Sequence, residues 1–478
     1  STTTDNGAAD TTVTEATDDK TSTDTAKADN GEVPTLIWWS IGGTPPDDFD
    51  KTIAEISDYT EEKIGVRIDV KIASWADWST KMNNIVNTGE YFDLMFVNNT
   101  NYTKFVNLNA LADITDLVQS ETPELYDFIP EDLWKGATIK EKIYAVPTYK
   151  DSSMTQFWML DDTYVQKYGI DVDSIKDYAT LNDALQTIKE GEGKSVYPMQ
   201  LAQGSTFNGF FNNYDGLASG LQPIGVKYDD ASRKVVCTLE QDDIMDGLNW
   251  LHKWYQDGII NPDANVVTDG GKGSIFGSAQ GWPAAATTWA FNQGIEKYDL
   301  AQVFGPLYTT ETIQGSMNAI SANSKYKTEA LKVLQLMNTD PKFRDMCAYG
   351  TEGNYMEYAE DGTVQKLRDD WNWPSYTQGT FFILSTQADG DPDAWNQVKE
   401  QNESATASTC LGFALDVTNI QNEVANCNTV WDKYKNDLLT GASDPATAVP
   451  ACIEELKAAG LDTVIEEAQK QVDEFFAN

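Results

Sequence analysis

Apolar residues first gather at Thr35-Leu36-Ile37-Trp38-Trp39, a short unbroken run suited to a buried strand, and Gly42-Gly43-Thr44-Pro45-Pro46 ends it. Phe49, Ile53, Ile56 and Tyr59 then recur at three- and four-residue intervals, which predicts one face of a helix stopped by Gly65. Val66, Ile68, Val70 and Ile72 alternate with Arg67, Asp69 and Lys71, the pattern of a strand with one wetter face. Ser74 is placed to cap a helix carrying Met82, Ile85 and Val86 and ending at Gly89, and Leu94-Met95-Phe96-Val97 is a further buried strand. This β-α-β-α-β order with short crossovers predicts a parallel sheet covered by helices on both faces.

The same grammar continues. Ile143-Tyr144-Ala145-Val146-Pro147 and Gln156-Phe157-Trp158-Met159-Leu160 read as strands. Helical spacing returns at 161–168, 180–190, 242–256, 328–338 and, as one long stretch, 444–476; residues 269–281 form a Gly-rich loop. There is no short internal repeat, which argues against a solenoid or propeller. The expected fold class is α/β, in two lobes.

Residues 1–32 break this grammar: Thr, Ser, Ala, Asp and Gly dominate, with Val13 the sole large aliphatic side chain. Such a segment buries too little apolar surface to offset its ordering entropy and is expected to be a disordered linker. A spacer of this kind, starting at Ser1 without Met or an apolar leader, is what a processed exported protein would carry; in a bacterial lipoprotein a lipidated Cys would precede it.

Charge narrows the function. With 34 Lys and Arg against 75 Asp and Glu the chain of 478 residues carries −41, which disfavours nucleic-acid backbones and anionic lipid. His252 is the single histidine, so His-rich metal sites and His-dependent catalysis are disfavoured. Cys237, Cys347, Cys410, Cys427 and Cys452 show no CxxC spacing and read mostly as small buried hydrophobes, a Cys410–Cys427 bridge being left open.

Several segments, in shared order, resemble an extracellular solute-binding protein of a bacterial carbohydrate ABC transporter whose C-terminal region is the domain of unknown function 3502. They are Leu36-Ile37-Trp38-Trp39-Ser40 with Gly42-Gly43-Thr44-Pro45; Asn87-Thr88-Gly89-Glu90-Tyr91-Phe92-Asp93; Lys142-Ile143-Tyr144-Ala145-Val146-Pro147; Lys253-Trp254-Tyr255-Gln256-Asp257-Gly258-Ile259-Ile260-Asn261-Pro262-Asp263; and Tyr376-Thr377-Gln378-Gly379-Thr380. The resemblance implies a hinged, two-lobed periplasmic-binding-protein-like fold of type II with a sugar in the cleft between the lobes. Residues 33–150 plus 313–370 are expected to form one lobe and 151–312 plus 371–478 the other. It further implies a monomer, a permease and through it an ATPase as partners, a lipid anchor on the outer face of the membrane, and neither cofactor nor catalysis.

Sugars have polar rims and flat C–H faces, so a binder needs aromatic plates and side chains that both donate and accept; 14 Trp and 21 Tyr supply the plates. Ligands of open α/β sheets sit beyond the carboxyl ends of parallel strands. Trp39 and Ser40 close the first strand, and Asn98 and Asn99 follow the strand 94–97, where Asn also serves Asx turns. Gly42 and Gly43 would let backbone approach a ligand or simply turn. Trp75 and Trp78, flanking a helix start, are expected to pack. By resemblance, Tyr149, Lys150 and Asp151 lie near the first hinge, Trp282 is a stacking plate of the second lobe with Trp289 in reserve, and Asn318 falls in the second crossover. Gln203 with Thr206, Phe207 and Asn208, and Trp371, Trp373 and Tyr376 with Gln378, are further polar-aromatic candidates. Asp389-Gly390-Asp391-Pro392-Asp393 with Glu400 has EF-hand spacing but Ala394 at the obligatory glycine, so Asp391 as a helix cap with Pro392 at the first helical position is the expectation.

Two rivals stand beside this reading. A glycoside hydrolase would use paired carboxylates, and the same fold would bind a peptide or a sugar acid. An acidic ligand calls for a cleft arginine, and none of Arg67, Arg233, Arg344 and Arg368 follows a predicted cleft strand.

Overall fold

The computed structural model describes residues 31–477. The linker expected over 1–32 lies almost wholly outside the described residues, and the elements among the described residues lie in the unit that starts at Val33.

Nine strands carry two main sheets: β1 (Thr35–Gly42), β2 (Arg67–Ser74), β3 (Leu94–Val97), β4 (Ala145–Pro147), β5 (Met154–Asp161), β6 (Phe276–Gln280), β7 (Tyr298–Tyr308), β8 (Met317–Ile320) and β9 (Thr406–Ala407). The first sheet runs β2-β1-β3-β8-β4, the second β6-β5-β7-β9. β1, β2 and β3 are parallel as their crossovers require, whereas β8 returns from late in the chain and lies antiparallel between β3 and β4. The crossovers alone predict a purely parallel sheet; the inserted strand is a long-range pairing that local pattern does not encode.

Alternation along β1 sends Leu36 and Trp38 into one core, where helix Phe49–Ile64 contributes Phe49, Ile53 and Ile56. Ile37, Trp39 and Ile41 face the other core, with Met82 and Ile85 of helix Trp78–Thr88. A separate core surrounds the second sheet. It joins Trp158 of β5 to Leu248, Leu251 and Trp254 of helix Asp242–Gln256 and to Trp431, Leu456 and Val472 of the C-terminal helices. The chain passes between the two sheets three times, at 148–153, at 309–316 and just before β9. The architecture is two-lobed.

Three local expectations shift. The helix after β2 begins at Trp78, because Ser74 Oγ accepts from Asp77 N at 3.2 Å and closes a turn first. The stretch 444–476 is two helices, Pro445–Ala459 and Leu461–Phe476, broken at Gly460, whose φ of 113° is left-handed and whose Cα faces Glu423 so closely that a Cβ would lie 2.7 Å from its Cγ. Helix Ala394–Ser404 starts two residues later than Pro392, with Asp391 Oδ1 accepting from Asp393 N at 2.8 Å in the preceding turn. All five cysteines are free and buried, and burial lifts the thiols of Cys237 to about 11 and Cys410 to about 12.

Candidate functional site

The carboxyl ends of β1, β2 and β3 share one edge of the first sheet, and the crossovers leave from the same region. Ser316, at the end of the second crossover, ties them: its carbonyl accepts from Thr148 N at 3.0 Å, and its Oγ donates to Tyr376 O at 2.6 Å. Asn402, at the end of helix Ala394–Ser404, grips the first crossover, accepting on Oδ1 from Ser153 N at 3.2 Å and Ser153 Oγ at 3.0 Å while its Nδ2 donates to Lys150 O.

Beside this junction lies a cavity of about 380 Å³. Its lining draws on residues 208–224 of the second lobe, on Gln280 at the end of β6, and on Glu311 in the second crossover. Asn208, Asn212, Ser219, Gln222 and Gln280 supply donors and acceptors; Phe211 and Tyr214 supply ring surface. Asn212 Nδ2 donates to Gln156 Oε1 at 3.3 Å, and Gln156 Nε2 donates to Ser278 Oγ at 2.5 Å, so the amide row is anchored on β5 and β6. Asn99, just past β3, donates from Nδ2 to Glu311 Oε1 at 3.2 Å, bringing the first lobe to the same point. The Glu311 side chain is exposed at the rim of this crevice, and partial desolvation, followed by the neighbouring Asp215 charge, raises its pKa. Asp215 itself is buried and occupied: Oδ2 accepts from Ser408 Oγ at 2.6 Å and Oδ1 from Leu217 N at 2.9 Å, while burial raises its pKa.

The other sequence-predicted residues make contacts of their own away from the lining. Asn98 Oδ1 accepts from Thr100 N at 3.0 Å, the Asx-turn role. Trp39 packs under helix Trp78–Thr88 with Lys81 Nζ 5.1 Å above its ring. Ser40 Oγ donates to Thr377 Oγ1 at 3.2 Å; Asn318 accepts from Trp38 Nε1 at 3.0 Å and donates to Thr377 O at 2.9 Å. Trp373 is buried edge-on to Trp38 at 5.3 Å, and Gln378 accepts from Arg344 at 2.6 Å and donates to Cys347 O at 2.7 Å. Tyr149 is buried against Phe382 at 4.6 Å, and Lys150 pairs with Asp151 at 2.8 Å. Gln203 is exposed and donates to Asn265 O at 3.0 Å. Trp289 packs on Phe157 at 6.1 Å. Trp282, half-buried, lies 6.3 Å from Trp395. Gly42 serves a close approach of protein to protein, since a Cβ there would meet Asn372 O at 2.3 Å.

One aromatic pair joins Trp75, expected to pack, to Tyr376 of the late aromatic-polar cluster. Trp75 follows the end of β2, stays 54% exposed, and its ring lies 6.2 Å from that of Tyr376 with only 19° between the planes. Tyr376 rests on Phe96 at 6.3 Å, edge-on. Its backbone carbonyl is the Ser316 acceptor, so the plate is wired to the hinge.

Fold and junction together define a two-lobed ligand-binding protein, and sequence comparison agrees. The profile of the family "Bacterial extracellular solute-binding protein" matches residues 54–367, and "Domain of unknown function (DUF3502)" matches residues 409–477. The chain belongs to the bacterial extracellular solute-binding family. It is 29% identical over 462 residues, 94% of this chain and 93% of the relative, to a "Carbohydrate ABC transporter substrate-binding protein" of Streptococcus pneumoniae serotype 4. Among solved structures it is similar to the N-glycan transport solute binding protein (NgtS) of Streptococcus pneumoniae, with 28% identity, a TM-score of 0.83, and coverage of 93% of this chain and 99% of that one. The same protein in complex with Man1GlcNAc gives 0.73, and with Man5GlcNAc 0.68. An HMO-binding solute binding protein of Bifidobacterium longum infantis, 17% identical with a TM-score of 0.65 over 93% of this chain and 99% of that one, shares the fold.

Proposed function

We propose that the chain is the substrate-binding component of an ABC importer and that it captures an oligosaccharide in the amide-lined cavity of its second lobe, beside the junction with the first. The observation that carries this reading is the cavity itself: carboxamides on Asn208, Asn212, Gln222 and Gln280 beside the rings of Phe211 and Tyr214 match the alternating polar and flat surfaces of a sugar. Trp75 on Tyr376 offers a plate at the shared carboxyl edge of β1–β3. The pneumococcal relatives named for carbohydrate and N-glycan transport support the ligand class.

Capture without chemistry fits the carboxylates. A glycosidase flanks the scissile bond with two, whereas Glu311 is the one ionisable acid in the lining and Asp215 is spent on Ser408 and Leu217. Three crossovers allow hinge closure, in which ligand held by one lobe recruits the other. The looser superposition on the two glycan complexes of the same relative is what a lobe movement would produce. A permease with its ATPase, a monomeric state and an upstream lipid anchor belong to the same proposal, by family resemblance.

A thermal-shift screen over neutral glycans tests it. A glycan binding the folded form alone raises Tm, by the equivalent of about 2.7 kcal/mol at a hundredfold excess over Kd. The shift is expected to vanish in Asn212→Ala combined with Gln280→Ala. Hydrolysis of the glycan during incubation, or a shift untouched by those substitutions, would overturn the reading.

A further inference from the structure

The lining of the cavity contains no Lys, Arg or His among the described residues, and its single ionised group is Glu311. One carboxylate oxygen is engaged by Asn99 Nδ2 at 3.2 Å. The other, Oε2, lies near Gly216, 3.9 Å from where a Cβ would stand, and makes no hydrogen bond among the described residues. No basic side chain offsets the charge: what acts on Glu311 is poor hydration and the like charge of Asp215 behind it. The net −41 of the chain adds a long-range field of the same sign.

Resting on the reading that this cavity holds the glycan, we propose that Glu311 makes it a charge filter: its free oxygen accepts hydrogen bonds from the hydroxyls of a neutral glycan and repels glycans bearing carboxylates. Neutral sugars bring O–H donors, and a charged acceptor strengthens those bonds. A uronate or sialate brings a second anion beside the Glu311 carboxylate with no cation in the lining to receive it. At contact distances such a pair is unfavourable enough to cost roughly tenfold or more in affinity. Specificity of this kind comes from the repelled competitor as much as from the accepted ligand.

The test uses the folded chain and matched probes: Man5GlcNAc, chitotriose and maltotriose, each beside the same glycan with one C6 alcohol oxidised to a carboxylate, in calorimetric titrations at low salt and neutral pH. Wild type is expected to prefer the neutral form of any probe it binds by roughly tenfold or more. Glu311→Gln is expected to lower that ratio about tenfold, and Glu311→Asp, which keeps the charge, to retain it; thermal unfolding confirms that both variants fold. Equal affinity for the two forms in wild type, or an unchanged ratio in Glu311→Gln, overturns the filter while leaving the cavity reading intact. If Asn212→Ala with Gln280→Ala leaves neutral-probe binding unaltered, the cavity reading falls and the filter with it. If no neutral probe binds wild type, both fall.

Discussion

Trp75 and Trp78 are three residues apart and meet opposite environments. Trp78 is 5% exposed, its ring 5.5 Å from Phe96 in the core beneath β3, while Trp75 is 54% exposed and flat against Tyr376. Trp75→Ala is therefore expected to weaken glycan binding roughly tenfold, about 1.4 kcal/mol, with little change in Tm. Trp78→Ala is expected to cost about 3–5 kcal/mol of stability by leaving a cavity. Calorimetry and thermal unfolding on the two variants check this; a Trp75→Ala variant that loses as much stability as Trp78→Ala would remove the plate from the site. Sequence pattern reads both as packing, because the turn made by Ser74 and Asp77, which holds Trp75 off the helix, leaves no periodic trace. Asn99 was legible as a strand-end amide, and so was the loop containing Asn208. Asn212, Gln222, Gln280 and Glu311 were not, since amides and acids scattered across a hundred residues converge only through tertiary folding. Trp39 shows the converse: alternation along β1 separates two faces, and both are buried.

Among the elements, the 375–380 loop carries Tyr376 and depends on a buried cation. Arg344 is fully buried; its guanidinium donates to Thr380 O at 2.7 Å, Gln378 Oε1 at 2.6 Å, Ser375 O at 2.9 Å and Gly379 O at 3.2 Å, and burial pushes its pKa down to about 10. A planar fork meeting four acceptors is a geometry lysine cannot reproduce. Arg344→Lys is expected to destabilise by about 3 kcal/mol, read as a lower urea midpoint with unchanged slope, and to weaken glycan binding by loosening the Tyr376 plate. Wild-type stability in Arg344→Lys would show that the loop holds itself. This network was invisible in the sequence, where Arg344 counted only as an arginine away from a predicted strand end. Helices with strong periodicity, such as Asp242–Gln256, were legible nearly to the residue, and so were β1 to β3. The break at Gly460 and the insertion of β8 were not, because both are decided by packing against distant segments.

For the molecule as a whole, three crossovers together with the proposed site predict a shape that responds to ligand. A ligand shifts an open–closed equilibrium only by its differential affinity for the two forms, and in the proposed site the second lobe supplies the amide row and the first supplies Asn99, with Trp75 as its proposed plate. On this proposal, glycan held by the amide row would engage the Trp75 plate only on closure, so closure would be favoured by such added contacts. Small-angle scattering with a saturating glycan is then expected to show a smaller radius of gyration than the free protein, and Trp75→Ala, which removes one closed-form contact, to give a smaller contraction at equal occupancy. Asn402→Ala probes the other side of the balance: freeing Ser153 and the Lys150 carbonyl from their clamp loosens the first crossover without touching the cavity lining. Its expected effect is on the free protein's profile, with the saturated profile preserved, since bound glycan would hold the lobes together where the clamp no longer does. Superimposable profiles for wild type with and without a glycan that demonstrably binds would mean that recognition is complete on one lobe, and a permease would then have no closed shape to distinguish from the open one.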